Sequence, residues 1–115
     1  MKPSAFDYEC PTDLKAVLAL LGDDSDTRIL AGGQSLVPMM NYRLAAPERL
    51  VDINRVPDLD YIRKEGGFIV IGALARHGDI KSSDLVAQHL PIMPAAYDWI
   101  AHAAVRNRGT LCGNL

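Results

Sequence analysis

Only two cysteines occur among the 115 residues, Cys10 and Cys112. They lie far apart and form no C-x-x-C pair, so a disulfide framework is not expected, and Cys10 reads as a small buried apolar residue. No basic excess is present: 12 Lys and Arg stand against 14 Asp and Glu, for a formal net charge of −2. That balance gives no electrostatic footprint for nucleic acid. No apolar run approaches the ~18–20 residues that cross a bilayer, and the opening Met1-Lys2-Pro3-Ser4-Ala5-Phe6-Asp7 lacks an apolar signal core. A cytoplasmic location without a transmembrane segment is therefore expected. Internal repeats and low-complexity stretches are also missing.

The familiar site motifs are equally scarce. No Gly-Lys-Ser/Thr follows a glycine loop at Walker A spacing, Gly32-Gly33 does not supply G-x-G-x-x-G, and Ser35 is not in G-x-S-x-G. The three histidines, His77, His89 and His102, share no helical turn, which argues against a preformed metal pair. No residue stands out as an acid–base catalyst. What remains is ordinary for a single domain or part of one: 49 % hydrophobic, 23 % charged, mean hydropathy +0.03. A chain of this length buries roughly two-thirds of its surface on folding.

Two glycine loops stand out from this background. The first is Ala31-Gly32-Gly33-Gln34-Ser35-Leu36, and the second is Arg108-Gly109-Thr110-Leu111-Cys112-Gly113-Asn114-Leu115. Glycine lets a backbone approach a ligand closely and reach positive φ, and successive N–H groups in such turns form anion-binding nests. The chain stops inside the second loop, an ending that is expected to reflect truncation.

Taken in order, residues 6–9 alternate as a short edge strand. Thr12 is expected to cap a helix, with Asp13 in its first turn and Leu14, Val17, Leu18 and Leu21 as one apolar stripe closed by Gly22. Asp23-Asp24-Ser25-Asp26 reads as a solvated turn. Residues 27–31 form a strand that runs into the first loop, and Val37, Met40 and Leu44 predict a helix from Ser35 that Pro47 closes. The loop thus joins a strand to a helix, where free N–H groups suit a phosphate; the same pattern also suits a tight turn that holds no ligand. Leu50-Val51-Asp52-Ile53 completes a βαβ unit.

Beyond residue 56 the pattern becomes antiparallel, with two β-rich runs joined by Lys64-Glu65-Gly66-Gly67. A short helix is expected over residues 79–89. Met93, Ala96, Tyr97, Ile100, Ala101 and Ala104 predict one helix that ends at Val105 and delivers the second loop. His102 suits either a ligand contact or a helix end. Arg106 and Arg108 suit either phosphate and acidic partners or a helix end.

The two loops together resemble the FAD-binding medium subunit of the molybdenum hydroxylases, the carbon monoxide dehydrogenase and xanthine dehydrogenase family. The similarity extends through Leu50-Val51-Asp52-Ile53-Asn54, Ile71-Gly72-Ala73-Leu74 and Ile100-Ala101-His102, and covers essentially the whole chain. It implies an α+β, PCMH-type FAD-binding fold. Residues 1–56 would form the first FAD-binding subdomain, a small parallel βαβ unit, and residues 57–115 the beginning of a second, antiparallel one. Ala31, Gly32, Gly33, Gln34, Ser35 and Leu36, with Thr110, Leu111, Cys112, Gly113 and Asn114, would hold the FAD. Cys112 stands where relatives carry glycine, and positive φ there would strain it by roughly 1 kcal/mol.

The resemblance further implies an oxidoreductase subunit that takes electrons from a [2Fe–2S] small subunit, after hydroxylation at a molybdopterin large subunit, and passes them through FAD to an external acceptor. The 115 residues alone would be inactive. A cofactor-free assembly domain that keeps the fold without the flavin is the alternative.

Overall fold

Three short strands alternate with two helices in the first half of the chain: β1 (Asp7–Glu9), α1 (Leu14–Leu21), β2 (Thr27–Leu30), α2 (Leu36–Asn41) and β3 (Arg49–Asp52). The computed structural model describes residues 1–23 and 25–115; Asp24, in the expected polar turn, lies outside the described residues. Two units are distinguished, Met1–Pro57 and Asp58–Leu115. The architecture is α+β.

In the first unit the strands form one parallel sheet in the order β1-β3-β2. Leu50 of β3 pairs with Tyr8 on one side and Arg28 on the other. The last strand in sequence is therefore the central one, and its Leu50 and Val51 are almost wholly buried. Val17 of α1, Met40 of α2, and Ile53 and Val56 after β3 complete the apolar core.

The helix ends differ from the pattern-based expectation. Asp13, not Thr12, caps α1: its backbone is extended and its Oδ1 accepts the Ala16 N–H at 2.8 Å. A carboxylate one residue nearer the helix satisfies a first-turn N–H directly. Only Val17 of the expected stripe is fully buried, while Leu14 and Leu18 remain exposed. Gly22 closes α1 in right-handed conformation, its N–H reaching the Leu18 and Ala19 carbonyls. Helix α2 stops at Asn41 rather than at Pro47, because Arg43 turns the backbone to φ 58° and Leu44 swings into solvent.

The second unit opens with a hairpin, β4 (Ile62–Glu65) and β5 (Phe68–Ile71), in register Glu65↔Phe68. Gly66, at φ 57°, makes the two-residue turn. Four short helices follow: α3 (His77–Lys81), α4 (Asp84–His89), α5 (Ile92–Tyr97) and α6 (Ala103–Arg106). Ala75, Ile80, Val86 and Tyr97 form the core, with Ile62, Ile69, Ile71, Met93 and Leu111 packed against it.

The segment expected as one helix over 79–89 is two. Ser83 is extended, and its hydroxyl accepts the Val86 N–H, starting α4 anew. The long helix expected to end at Val105 is also interrupted: Ala101 adopts φ 53° and His102 is extended. Of its predicted apolar face Tyr97 is buried, whereas Ile100, Ala101 and Ala104 are exposed.

Gly72 occupies the tightest position in this unit. Its N–H donates to the Tyr61 carbonyl at 2.8 Å, and a Cβ there would stand 2.2 Å from the Leu59 carbonyl oxygen. Backbone cannot retreat as a flexible side chain can. Gly72→Ala is expected to lower stability by about 3 kcal/mol or more, at the top of the range for overpacking, read as a reduced urea midpoint.

Candidate functional site

The first loop begins where β2 ends at Leu30 and closes where α2 begins at Leu36. Gly33 adopts φ 71°, a conformation that disfavours any side chain. A Cβ there would also press on Val37 Cγ2 at 3.2 Å and Leu30 Cδ1 at 3.3 Å. The Gly33 carbonyl accepts the Val37 N–H at 3.2 Å, which ties the turn to the helix, and Gln34 Nε2 reaches back to the Gly32 carbonyl at 3.3 Å. Ala31, Gly32, Gly33 and Leu36 are half-buried, while Gln34 and Ser35 are exposed.

The donors of this loop are open. Among the described residues, the backbone N–H groups of Gly32, Gly33, Gln34 and Ser35 donate to nothing, and the Ser35 hydroxyl makes no capping bond. Residues 31–36 contain no carboxylate. Consecutive N–H groups, one hydroxyl and one amide fit a phosphate or diphosphate by their chemistry. With only six residues in α2, these individual donors carry the case rather than a long helix dipole.

The second loop is organised differently. Thr110 is buried and pairs with Arg76 in an isolated antiparallel bridge. The His77 N–H donates to the Gly109 carbonyl at 3.0 Å, and Arg76 Nη1 donates to the Arg108 carbonyl at 2.8 Å. The segment after β5 thus grips the loop along its length. Thr110 Oγ1 accepts the Gly113 N–H at 3.1 Å and the Leu111 carbonyl accepts the Asn114 N–H at 3.0 Å, closing a 3₁₀ turn over Cys112–Asn114. Some of its donors are therefore satisfied within the loop. Leu111 packs on the core. Cys112 has no positive φ, so it carries no left-handed strain, and its Sγ lies 3.6 Å from the Gly72 carbonyl oxygen.

Among the described residues no three His, Cys, Asp or Glu side chains could hold a metal ion. His102 caps α6 with its carbonyl, to which the Arg106 N–H donates at 2.9 Å. Arg106 itself is a clamp: Nη1 donates to the carbonyls of Tyr97, Ile100 and Ala101, at 3.3, 3.1 and 2.9 Å. It bridges the break between α5 and α6, a role invisible to periodicity because the carbonyls it satisfies are exposed only when that helix breaks. The Arg108 side chain stays exposed.

His77 was the less conspicuous residue in sequence, yet it sits directly beneath the second loop. A Cβ on Gly109 would meet its Cδ2 at 2.9 Å. Its Nδ1 lies 2.9 Å from the Tyr97 hydroxyl. Burial pushes the imidazole below its ordinary value and the Tyr97 phenol above its own. A histidine held neutral in the fold takes up its proton first in the unfolded chain. Its contribution is thus complete above about pH 6.5 and diminishes as the pH falls through that value. The slope of unfolding free energy between pH 7 and 5 should be smaller in His77→Gln than in the parent, by urea titration at each pH.

Residues 4–115 match the family described as the FAD binding domain in molybdopterin dehydrogenase. The chain is 51 % identical over 116 aligned residues to the 6-hydroxypseudooxynicotine dehydrogenase complex subunit alpha of Paenarthrobacter nicotinovorans, covering all of this chain and 39 % of that protein. It is similar to a solved structure of carbon monoxide dehydrogenase from Hydrogenophaga pseudoflava, at TM-score 0.92 and 48 % identity, over 99 % of this chain and 40 % of the other. Quinoline 2-oxidoreductase from Pseudomonas putida 86 matches at TM-score 0.91 and 45 % identity, over 98 % and 40 %. The chain therefore spans about two-fifths of the length of the relatives it matches.

Proposed function

The chain belongs to the family of FAD-binding domains of molybdopterin dehydrogenases, and from that premise we propose that it holds FAD through residues 31–36 and 110–114. The observation that carries the reading is the run of four open N–H donors at 32–35, in a loop shaped by Gly33 at positive φ. That donor set matches a diphosphate. Residues 1–56 act as the first FAD-binding subdomain and residues 57–115 as the beginning of the second.

Each part of the chain then has a defined task. Gly32 and Gly33 let the backbone come close to the diphosphate, Ser35 and Gln34 add side-chain donors, and Thr110 fixes the turn over Cys112–Asn114 by accepting the Gly113 N–H. When bound, FAD supplies the redox chemistry, while the protein supplies binding and orientation. The protein serves as the flavin subunit of a molybdenum hydroxylase in the cytoplasm. It receives electrons from a [2Fe–2S] subunit that is fed by a molybdopterin subunit, and delivers them to an external acceptor. Relatives named as a "complex subunit alpha" and a "medium chain" support the multi-subunit reading.

Gly33→Val tests the first loop. In the full-length subunit this change forces a β-branched side chain onto a left-handed residue and crowds Val37 and Leu30. The expected product is folded by circular dichroism but colourless, with FAD content below a tenth of the parent's. Stoichiometric FAD in that variant would remove the loop from the site.

A further inference from the structure

Strand β2 ends its pairing with β3 at Leu30↔Asp52, and the Ile53 N–H closes the ladder on the Leu30 carbonyl at 3.1 Å. Ala31 is the first residue beyond it. Its carbonyl is met by a side chain: Asn54 Nδ2 donates to it at 2.8 Å. The same amide nitrogen lies 2.6 Å from Asp52 Oδ1, which also accepts the Asn54 backbone N–H at 2.9 Å. The other carboxylate oxygen, Oδ2, accepts the Tyr8 hydroxyl at 2.6 Å. Burial alone would raise the Asp52 carboxyl, but the bonds from Tyr8 and Asn54 outweigh it and hold the group below its ordinary range. A chain of hydrogen bonds thus runs from β1 through the end of β3 to the start of the first loop.

We infer that Asn54, held in place by Asp52 and Tyr8, is a positioning residue that aims the first loop's donors at their ligand. The argument is the geometry of one peptide unit. The Ala31 carbonyl and the Gly32 N–H belong to the same plane and, in a trans peptide, point in opposite directions; no cis bond occurs among the described residues. Fixing the carbonyl toward Asn54 therefore turns the Gly32 N–H to the other side, at the head of the open run. Without that anchor the plane is free to rotate, and its ordering would oppose binding. Two of the three side chains come from other strands, so the loop's shape is imposed from outside its own sequence. The inference rests on the reading of this loop as part of the FAD site.

The experiment uses the full-length subunit, stripped of flavin and titrated with FAD by fluorescence quenching. Urea midpoints and near-UV circular dichroism of the apo-protein are recorded in parallel. Asn54→Asp keeps the size and loses the amide donor. Its FAD dissociation constant should rise about tenfold, equivalent to about 1.4 kcal/mol, with the apo fold retained. Tyr8→Phe removes only the outer link and should weaken FAD about threefold. Parental affinity in a folded Asn54→Asp subunit overturns the inference. If Asn54→Asp fails to fold, Tyr8→Phe decides: weaker FAD at an unchanged urea midpoint supports positioning, and unchanged affinity overturns it. A parental subunit that takes up no FAD overturns the functional reading, and the inference falls with it.

Discussion

The backbone N–H groups of residues 32–35 find no partner among the described residues, and the structure around them has to hold this loop by other bonds. Backbone donors and acceptors are normally satisfied within secondary structure. The first glycine loop departs from that rule over residues 32–35, so its shape has to be secured by something other than its own ladder. Gly33 supplies the turn, the Gly33 carbonyl holds Val37, and Asn54 holds the Ala31 carbonyl. The acceptors are used to fix the loop, and its donors at residues 32–35 have no partner among the described residues.

The second loop is held by different means. Here a neighbouring segment lies alongside and takes up carbonyls one after another, through the Arg76 side chain and the His77 N–H. Arg106 does similar work at the interrupted helix upstream, where one guanidinium nitrogen meets three carbonyls. Arginine suits this because its fork donates without accepting and stays charged. The polar scaffolding stands on modest apolar cores, Leu50 and Val51 in the first unit and Ala75, Ile80, Val86 and Tyr97 in the second.

The misread helices share a physical cause. Periodicity reports which residues lie on one face if the helix continues, and it carries no information on whether it does continue. The apolar spacing from Met93 to Ala104 is compatible with a single helix, yet Ala101 at φ 53° and the Arg106 clamp break it. Val37, Met40 and Leu44 fit one stripe, yet Arg43 at φ 58° ends the helix before Leu44 can join it. Non-glycine residues at positive φ carry almost no local signal. Capping is legible only to within a residue, because Thr12 and Asp13 are both competent caps.

The α+β class, the strand–loop–helix setting of the first glycine loop and the hairpin turn at Gly66-Gly67 were legible in the residues themselves, and the flavin-binding family in the resemblance of two short motifs. All of these rest on local chemistry: glycine at turns, apolar runs at strand spacing, and motifs a few residues long. Tertiary structure alone decided that β3 lies between β1 and β2, and that His77 packs beneath Gly109. It also brought Tyr8, Asp52 and Asn54 into one network behind Ala31. Each of these joins residues distant in the chain, and their partners are chosen by strand order and burial, which no short window of sequence contains.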